Sequence, residues 1–316
     1  SGALSGRCVG LKHPALARVA SLVTMEFKLP GAQLTLIGRS RAADATAFWI
    51  PELNLCLDAG VVVHSQKPSH ILITHTHSDH CSLLTHMMSR SKPPTVAVPF
   101  EAAALLETYL RSYQDVTACA PIADEDYQCN HVIQGVRGGD EFLVGNMHKV
   151  RCYAMQHSIP CVGYGVFAIR KGLKPEYAGL PGRELAALRK EGVEIEATRE
   201  VPLFLFNGDT SANVFRTTPE LLQFPVVITE CSFFTEGKED KAGASGHTHW
   251  TELREVVRSH PDVLFVLTHF SLVYSAHEIR DFFEEQAKTL PNIHVMLQLG
   301  PDPITFGSTR ADRRVD

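Results

Sequence analysis

Short apolar runs alternate with helical patterns along the first half of this 316-residue chain. HILIT at 70–74 and TVAVP at 95–99 are apolar and bounded by polar residues, which predicts two buried strands. EAAALLETYLRSYQ at 101–114 has the spacing of a helix. KVRCYAMQH at 149–157 and CVGYGVFAIR at 161–170 predict a pair of strands. The first half is therefore predicted to combine sheet and helix.

The second half repeats this alternation. Three apolar runs each end in residues that can carry chemistry, and they are PLFLFNGD at 202–209, FPVVITECSF at 224–233 and DVLFVLTHFS at 262–271. Between the last two, THWTELREVVRSHP at 248–261 predicts an amphipathic helix. Strands that alternate with helices in both halves favour an α/β architecture with functional side chains at strand ends.

Two segments stand apart from this pattern. The first 32 residues are predicted to be an extension: the stretch before Glu26 is basic and has no acidic residue, which is typical of an organellar transit segment or of cloning-derived residues followed by an ordinary N-terminus. Residues 33–316 are predicted to form a single domain. Within it, residues 170–200 are rich in charge, Gly and Pro, which predicts a surface insertion with a helix from Gly182 to Lys190.

Composition narrows the classes of protein to consider. Apolar residues make up 44% and charged residues 21%, as in ordinary globular proteins. No apolar run approaches the ~18 residues of a membrane-spanning helix, so we expect no membrane association. The net charge of -5 argues against a protein that coats nucleic acid by bulk electrostatics. Eight cysteines without a CxxC pair favour reduced thiols. We expect an intracellular protein, and the choice among the cytoplasm, the nucleus and an organelle stays open.

The segment HTHSDH at 75–80 places four metal-ligand residue types in six positions. His75 and His77 follow a predicted strand, and residues two apart in extended chain point the same way, so both can bind one ion. Asp79 and His80 follow as the chain turns into the apolar-periodic segment CSLLTHMM, predicted to be helical, and can serve a neighbouring ion. Imidazole and carboxylate ligands favour zinc, with manganese or iron as alternatives. A pH-sensing histidine cluster is the other interpretation.

HTHSDH matches the H-x-H-x-D-H signature of the metallo-β-lactamase superfamily. The later segments HSIPCVGY, GDT and LTHFS resemble the corresponding motifs of ribonuclease Z, the endonuclease that removes 3′ trailers from precursor tRNA. This resemblance implies a four-layer αβ/βα sandwich of two mixed β-sheets flanked by helices, with the metal site along one edge. It also suggests a homodimer.

Carried over residue by residue, the resemblance implies two divalent ions. Their ligands in this chain would be His75, His77, His157 and Asp209 for one ion and Asp79, His80, Asp209 and His269 for the other. Asp209 would bridge the two ions, and Asp79 would be both a ligand and a proton acceptor.

The same resemblance implies an acid pair. The His-Glu-Ala-Thr and Gly-His-Ser-Thr motifs of ribonuclease Z correspond to TECS at 229–232 and GHTH at 246–249, which retain Glu230 and His247. Glu230 would orient His247, and His247 would protonate the leaving oxygen. Thr229 and Thr248 replace the family's His and Ser. His249 is an alternative to His247, but the register after Gly246 favours His247.

The chain departs from the family in its loops. IGRSRAADATAFW and LDAGVVV stand where ribonuclease Z has Pro-Thr, Arg-Asn and Asp-Cys-Gly-Glu-Gly-Thr motifs. Residues 170–200 lack the core of the arm that grips tRNA, although they carry basic side chains that could contact phosphate.

Three hypotheses of function follow. The first is a metal-dependent phosphodiesterase of ribonuclease Z type that acts on precursor tRNA. The second is a metal-dependent hydrolase of a small phosphodiester or ester, which the altered arm and the acidic net charge favour. The third is a non-catalytic relative that keeps its metals for stability, which the altered TECS motif and N-terminal loops would allow.

Overall fold

The computed structural model describes residues 25–63, 67–89 and 91–297. Fifteen strands among these residues form two mixed β-sheets. The strands of the first sheet are β1 (Met25–Leu29), β2 (Leu34–Ala42), β3 (Ala45–Ile50), β4 (Leu55–Leu57), β5 (His70–Leu72), β6 (Thr95–Pro99), β7 (Val132–Val136) and β14 (Phe270–Ser271). Those of the second are β8 (Glu141–Val144), β9 (His148–Ala154), β10 (Val162–Leu173), β11 (Glu196–Phe206), β12 (Val226–Glu230), β13 (Leu264–Thr268) and β15 (Ile293–Val295).

The two sheets share one topology. In the first sheet, β1 to β4 are joined by antiparallel pairs and β4 to β7 by parallel pairs, while β14 adds to β2. In the second sheet, β8 to β11 are antiparallel neighbours, and β11, β12, β13 and β15 are parallel neighbours. Each half of the chain therefore supplies an antiparallel side and a parallel side.

Helices cover the outer face of each sheet. The α-helices are α1 (Ser78–Cys81), α2 (Phe100–Ala118), α3 (Gly182–Lys190), α4 (Val214–Thr217), α5 (Glu239–Ser245), α6 (Trp250–Ser259) and α7 (Ala276–Ala287). Short 3₁₀ turns lie at Pro51–Leu53, Leu84–Met87, Asp124–Asp126, Pro175–Tyr177 and Pro219–Gln223. The predicted helices at 101–114, 182–190 and 248–261 correspond to α2, α3 and α6. No described helix is long and apolar enough to cross a membrane.

Three layers of buried side chains hold the sheets and helices together. Phe48 of the first sheet and Tyr164 and Phe204 of the second are fully buried between the sheets. Leu106 of α2 packs on the outer face of the first sheet, and Phe283 of α7 packs on the outer face of the second. Each fully buried side chain of this size contributes roughly 1.5 to 3 kcal/mol, which favours closing the layers. The predicted four-layer α/β sandwich is confirmed.

Two local predictions differ from the structure. The segment CSLLTHMM is not a continuous helix, because the chain forms the four-residue α1 and then a 3₁₀ turn at Leu84–Met87. Leu83 donates its backbone N–H to the Ala59 carbonyl, which ties this segment to the loop after β4 instead of continuing a helix. The predicted extension of residues 1–32 overlaps the fold from Met25 onward, where β1 pairs with β2. Residues 1–24 lie outside the described residues.

The predicted insertion at 170–200 forms an arm. β10 and β11 remain paired to Leu173 and Glu196, whereas β9 accompanies β10 only as far as Ala168. The strands therefore continue beyond the sheet as a two-stranded ribbon whose residues are exposed or half-buried. The helix α3 and a 3₁₀ turn connect the two strands of this ribbon.

Candidate metal centre

The residues selected from the sequence as metal ligands lie together at one edge of the two sheets. In the first sheet HTHSDH follows β5, and in the second Asp209 follows β11 and His269 follows β13. The carboxyl ends of parallel strands lie at the same edge of a sheet, so this topology gathers the side chains. The structure brings together His75, His77, Asp79, His80, His157, Asp209 and His269.

One group of four ligand atoms converges around His77. His77 Nδ1 lies 3.1 Å from His75 Nε2 and 3.2 Å from His157 Nε2. Asp209 Oδ2 lies 3.6 Å from His75 Nε2, and all four atoms lie within 4.8 Å of one another. These distances leave room for an ion once the ring nitrogens are unprotonated.

A second group lies beside the first. His80 Nε2 is 3.1 Å from His269 Nε2, and Asp79 Oδ2 is 3.3 Å from that same nitrogen of His269. The three side chains are buried. This arrangement could hold a second ion, as expected for Asp79, His80 and His269.

Asp209 faces both groups with different oxygens. Its Oδ1 lies 3.4 Å from His80 Nε2 and 3.4 Å from His269 Nε2. Its Oδ2 lies 3.6 Å from His75 Nε2 and 3.9 Å from His157 Nε2. Oδ1 is also buried without a well-formed hydrogen bond, which is costly for a carboxylate unless a cation satisfies it. The donor set therefore fits a pair of ions that share Asp209.

Outer hydrogen bonds orient the rings toward these groups. His157 Nδ1 donates to the Gly246 carbonyl at 2.9 Å, and His269 Nδ1 lies 3.2 Å from the Ser232 hydroxyl. Such bonds fix the ring orientation and the tautomer of a metal-binding histidine. The inward Nε2 atoms are consequently the ones left to bind an ion.

Asp58 is an outer partner that sequence reasoning missed. It is fully buried, and its Oδ2 accepts a hydrogen bond from His80 Nδ1 at 2.8 Å. Its Oδ1 accepts the backbone N–H of Thr74 at 2.8 Å, which ties the carboxylate to the chain just before His75. Asp58 ends an apolar run as Asp209 does, which marks it as a candidate, but no local pattern ties it to His80.

The two neighbouring rings His75 and His80 have opposite protonation preferences. Burial lowers the pKa of His75 well below its ordinary value, and a positive charge on His80 lowers it further. Burial also disfavours the charged form of His80, but the carboxylates of Asp209 and Asp58 outweigh it and raise the pKa of His80 well above the ordinary value. Metal binding requires neutral imidazole, so an ion at His80 would displace a proton.

Tight backbone positions hold Asp209 and His269 in place. Gly208 has a φ of +63°, and a Cβ added there would lie 2.5 Å from Thr74 Cβ, so only glycine fits. This close approach brings the Asp209 loop against the end of the first sheet. His269 itself has a φ of 59°, a conformation that is costly for a non-glycine residue and that the surrounding structure must maintain.

Glu230 and His247 form a pair next to the cluster. Glu230 is buried at the end of β12, and its Oε1 and Oε2 lie 2.9 and 3.1 Å from His247 Nδ1. Thr210 and Thr248 donate backbone N–H groups to the same carboxylate. Burial by itself lowers the pKa of His247, but the negative charges of Glu230 and Asp209 outweigh it and raise that pKa to about 9. The pair can therefore present a protonated imidazole at neutral pH.

The side chains of Thr248 and Thr229, which depart from the family motifs, make their hydrogen bonds away from the His247 ring. Thr248 donates its hydroxyl to the Thr210 carbonyl at 2.7 Å, and the Thr229 hydroxyl accepts from the Asn207 amide. His249 caps α6 through Nδ1, which accepts the Thr251 N–H. The structure thus brings His247, and not His249, to Glu230.

An open cleft of about 590 Å³ lies over the cluster. His77, Asp79, Asp209, His247 and His269 line its floor. The candidate ligands and the acid pair are thus reachable from solvent through one opening.

Comparisons with known proteins agree with this site. The family model described as Metallo-beta-lactamase superfamily matches residues 59–148 of this chain. The chain is 30% identical over 253 residues to tRNase Z TRZ2, chloroplastic, of Arabidopsis thaliana, covering 77% of this chain and 69% of that protein. It is 28% identical to tRNase Z TRZ1 of the same plant, covering 77% of this chain and 88% of that protein.

The fold is also found among solved structures. The metallo-beta-lactamase fold protein YhfI from Bacillus subtilis superposes with a TM-score of 0.53 at 13% identity, covering 87% of this chain and 97% of that chain. At that identity the likeness concerns the fold alone, and the similarity to the plant proteins is what indicates the family. The chain belongs to the tRNase Z family of metal-dependent hydrolases within the metallo-beta-lactamase superfamily.

Proposed function

We propose that this chain is a metal-dependent endoribonuclease that removes the 3′ trailer from precursor tRNA. The relatives named tRNase Z support the substrate class. The observation that carries the proposal is the Glu230–His247 pair, whose Nδ1 to Oε1 distance is 2.9 Å, set beside a cluster of seven candidate ligands. Such a pair serves a reaction that must protonate a leaving oxygen.

The proposed ligands divide into two sets. His75, His77, His157 and Asp209 would hold one ion, and Asp79, His80, Asp209 and His269 the other. Imidazole nitrogen and carboxylate oxygen favour zinc, with manganese and iron as alternatives. When bound, a pair of such ions lowers the pKa of water and offsets negative charge at the phosphoryl group.

The chain's own residues perform the proton transfers. Asp79 is proposed to accept a proton from the attacking water, because it lines the cleft and its carboxylate is held by the Ala43 N–H at 2.8 Å. Glu230 orients His247 through Nδ1 and stabilises its charged form, which leaves Nε2 available to protonate the leaving oxygen. The base role is thus proposed for Asp79 and the acid role for His247 with its partner Glu230, while Asp209 would serve as a ligand.

The arm favours a second candidate function. Residues 170–200 contain seven basic and six acidic residues, and Arg189 pairs with Glu196 at 2.6 Å. A surface so nearly balanced gives little attraction for a phosphate backbone. A hydrolase of a small phosphodiester or ester is the function that this observation supports.

Incubation with a precursor tRNA and with the same tRNA lacking its trailer separates the two functions. The proposal expects one cut at the trailer boundary, loss of cutting with a chelator and recovery when zinc is returned. Asp79→Ala should abolish the cut while thermal unfolding shows an intact fold, and Asp126→Ala at an exposed turn is the matched control.

Hydrolysis of a generic diester that tRNA does not inhibit would instead establish the second function. The predicted homodimer is tested by light scattering.

A further inference from the structure

Two segments of different chemistry line the cleft. Lys241 belongs to α5, while Leu272 and Val273 belong to the segment that follows β14 and form what we call the apolar wall. We propose that Lys241 and the apolar wall form a nucleotide subsite: Lys241 binds a phosphate next to the scissile one, and Leu272 and Val273 contact a nucleobase. This inference rests on the proposed function and assigns the substrate contacts that the metal cluster does not provide.

Lys241 is suited to bind a phosphate. Among the described residues that line the cleft, it is the sole lysine or arginine. It forms no salt bridge with a described carboxylate, and its Nζ lies 5.4 Å from the centre of the Phe233 ring. The ring holds the side chain over the cleft without neutralising it. A second phosphate of a polynucleotide would therefore find a cation there.

Leu272 and Val273 form an apolar wall, and the exposure of this wall to water is unfavourable. Their side chains are 48% and 54% exposed, although both lie at the cleft. Arg41 donates to the carbonyls of Ser271 and Tyr274 on either side of them, at 3.2 and 2.7 Å. The loop is thus fixed by a buried cation and presents two apolar side chains in a set position. The flat face of an unpaired base is a matching partner for such a surface.

The position of Lys241 also indicates which side of the substrate it binds. Lys241 and His247 belong to the same short stretch, α5 and the residues that directly follow it. Because His247 is proposed to protonate the leaving oxygen, the phosphate at Lys241 belongs to the leaving-group side. We assign the apolar wall, which begins three residues after His269, to the nucleotide on the other side of the cut.

Binding of a short RNA tests the phosphate contact without requiring cleavage. Fluorescence anisotropy with a labelled single strand of about five nucleotides, phosphorothioate-linked to slow hydrolysis, is measured over a range of KCl concentrations. Lys241→Ala should weaken binding about fourfold near physiological salt and reduce the salt slope by about 0.7, the contribution of one single-strand phosphate contact. Lys241→Arg should bind as the wild type does.

Lys238→Ala is the matched control, because Lys238 lies at the start of α5 but does not line the cleft. It should leave both the affinity and the salt slope unchanged. Equal behaviour of the two alanine variants, or absence of RNA binding by the wild-type protein, would overturn the subsite. Thermal unfolding of each variant checks that the fold is retained.

A double comparison tests the apolar wall. The wild-type protein should bind an RNA with one abasic position several-fold more weakly than the intact strand. The combined Leu272→Ser and Val273→Ser variant should not distinguish the two strands. If the variant loses affinity for both RNAs equally, the wall does not contact a base.

The outcomes also separate this inference from the proposed function. An enzyme that removes trailers but is insensitive to Lys241→Ala would refute the subsite and keep the function. A protein that binds short RNA through Lys241 but leaves precursor tRNA intact would refute the function and keep the subsite.

Discussion

The two halves of the chain build the same sheet topology but deliver their functional residues differently. The first half places His75, His77, Asp79 and His80 in one segment after β5. The second half gives one residue per strand end, with Asp209 after β11 and His269 after β13. One half therefore relies on a local turn, and the other on the register of parallel strands.

This difference divides the tasks of the site. The segment after β5 supplies ligands to both groups, so its local conformation sets the geometry of each. The strand ends of the second half supply the shared carboxylate Asp209 and the Glu230 member of the acid pair, both from a separate sheet, while His247 follows α5. Substitutions in the two halves should consequently fail in different ways.

The largest effect is expected at the residue that joins the halves. Asp209→Ala removes the oxygens that face both groups, so bound metal should fall from two ions to fewer than one per chain. Cleavage should fall roughly 10⁴-fold, as when one member of a catalytic unit is lost. Metal analysis by mass spectrometry and single-turnover kinetics measure both. The exposed Asp240→Ala is the control, and two retained ions in Asp209→Ala would contradict a bridging role.

Single ligands of each group should show smaller and separable losses. His77→Ala should remove one ion from the group it shares with His75, and His269→Ala should remove one from the group it shares with His80. Each variant should keep about one ion and lose cleavage by roughly 10³-fold, less than Asp209→Ala. Loss of both ions in both variants would mean that the two groups are a single site.

Glu230→Gln should affect the acid step and leave the metals in place. The rate should fall on the order of 10²-fold or more, the scale of general acid catalysis. His247 has its pKa raised to about 9, so the acid form is present below that pH and the rate declines as pH rises through it. Without the Glu230 charge this decline should move to lower pH. A pH–rate profile measures the shift, and an unmoved profile would exclude the pair as the acid.

The smallest of these effects is expected at Asp58. Asp58→Asn weakens the bond that orients His80 but removes no ligand, so metal affinity should fall about 10- to 100-fold. Competition with a chelating dye measures this affinity. Asp281→Asn, an exposed carboxylate paired with Arg280, is the control. An unchanged affinity would assign Asp58 to folding alone.

Local patterns predicted much of this molecule, and long-range contacts account for the rest. The run at 95–99 forms β6, as predicted, because a short apolar segment with polar ends is stabilised by burial within a sheet. The seven candidate ligands could be selected because their chemistry and order are visible in the chain. The role of Asp58 could not be predicted from the chain, since it depends on a hydrogen bond to His80, which lies 22 positions away.

The failed helix prediction has a similar cause. The apolar spacing of CSLLTHMM is compatible with a helix, but the contact between Leu83 and Ala59 bends the chain. β1 was missed because its strand character depends on pairing with β2. The arm was predicted as an insertion with a helix, yet its ribbon arises from strands that begin inside the sheet.

The ribbon sets the distance between the arm and the metal centre. β10 begins just after the His157 loop, and β11 runs as one strand from the arm to the Asp209 loop, with one register shift against β10 opposite Val166 and Phe167. Phe206 lies eight positions after Thr198 along β11, which is roughly 26 Å at about 3.3 Å per residue. Anything held at the arm is thus held at a set spacing from the metal centre. Lengthening both strands by two residues would shift that spacing by about 7 Å while keeping every side chain on its face.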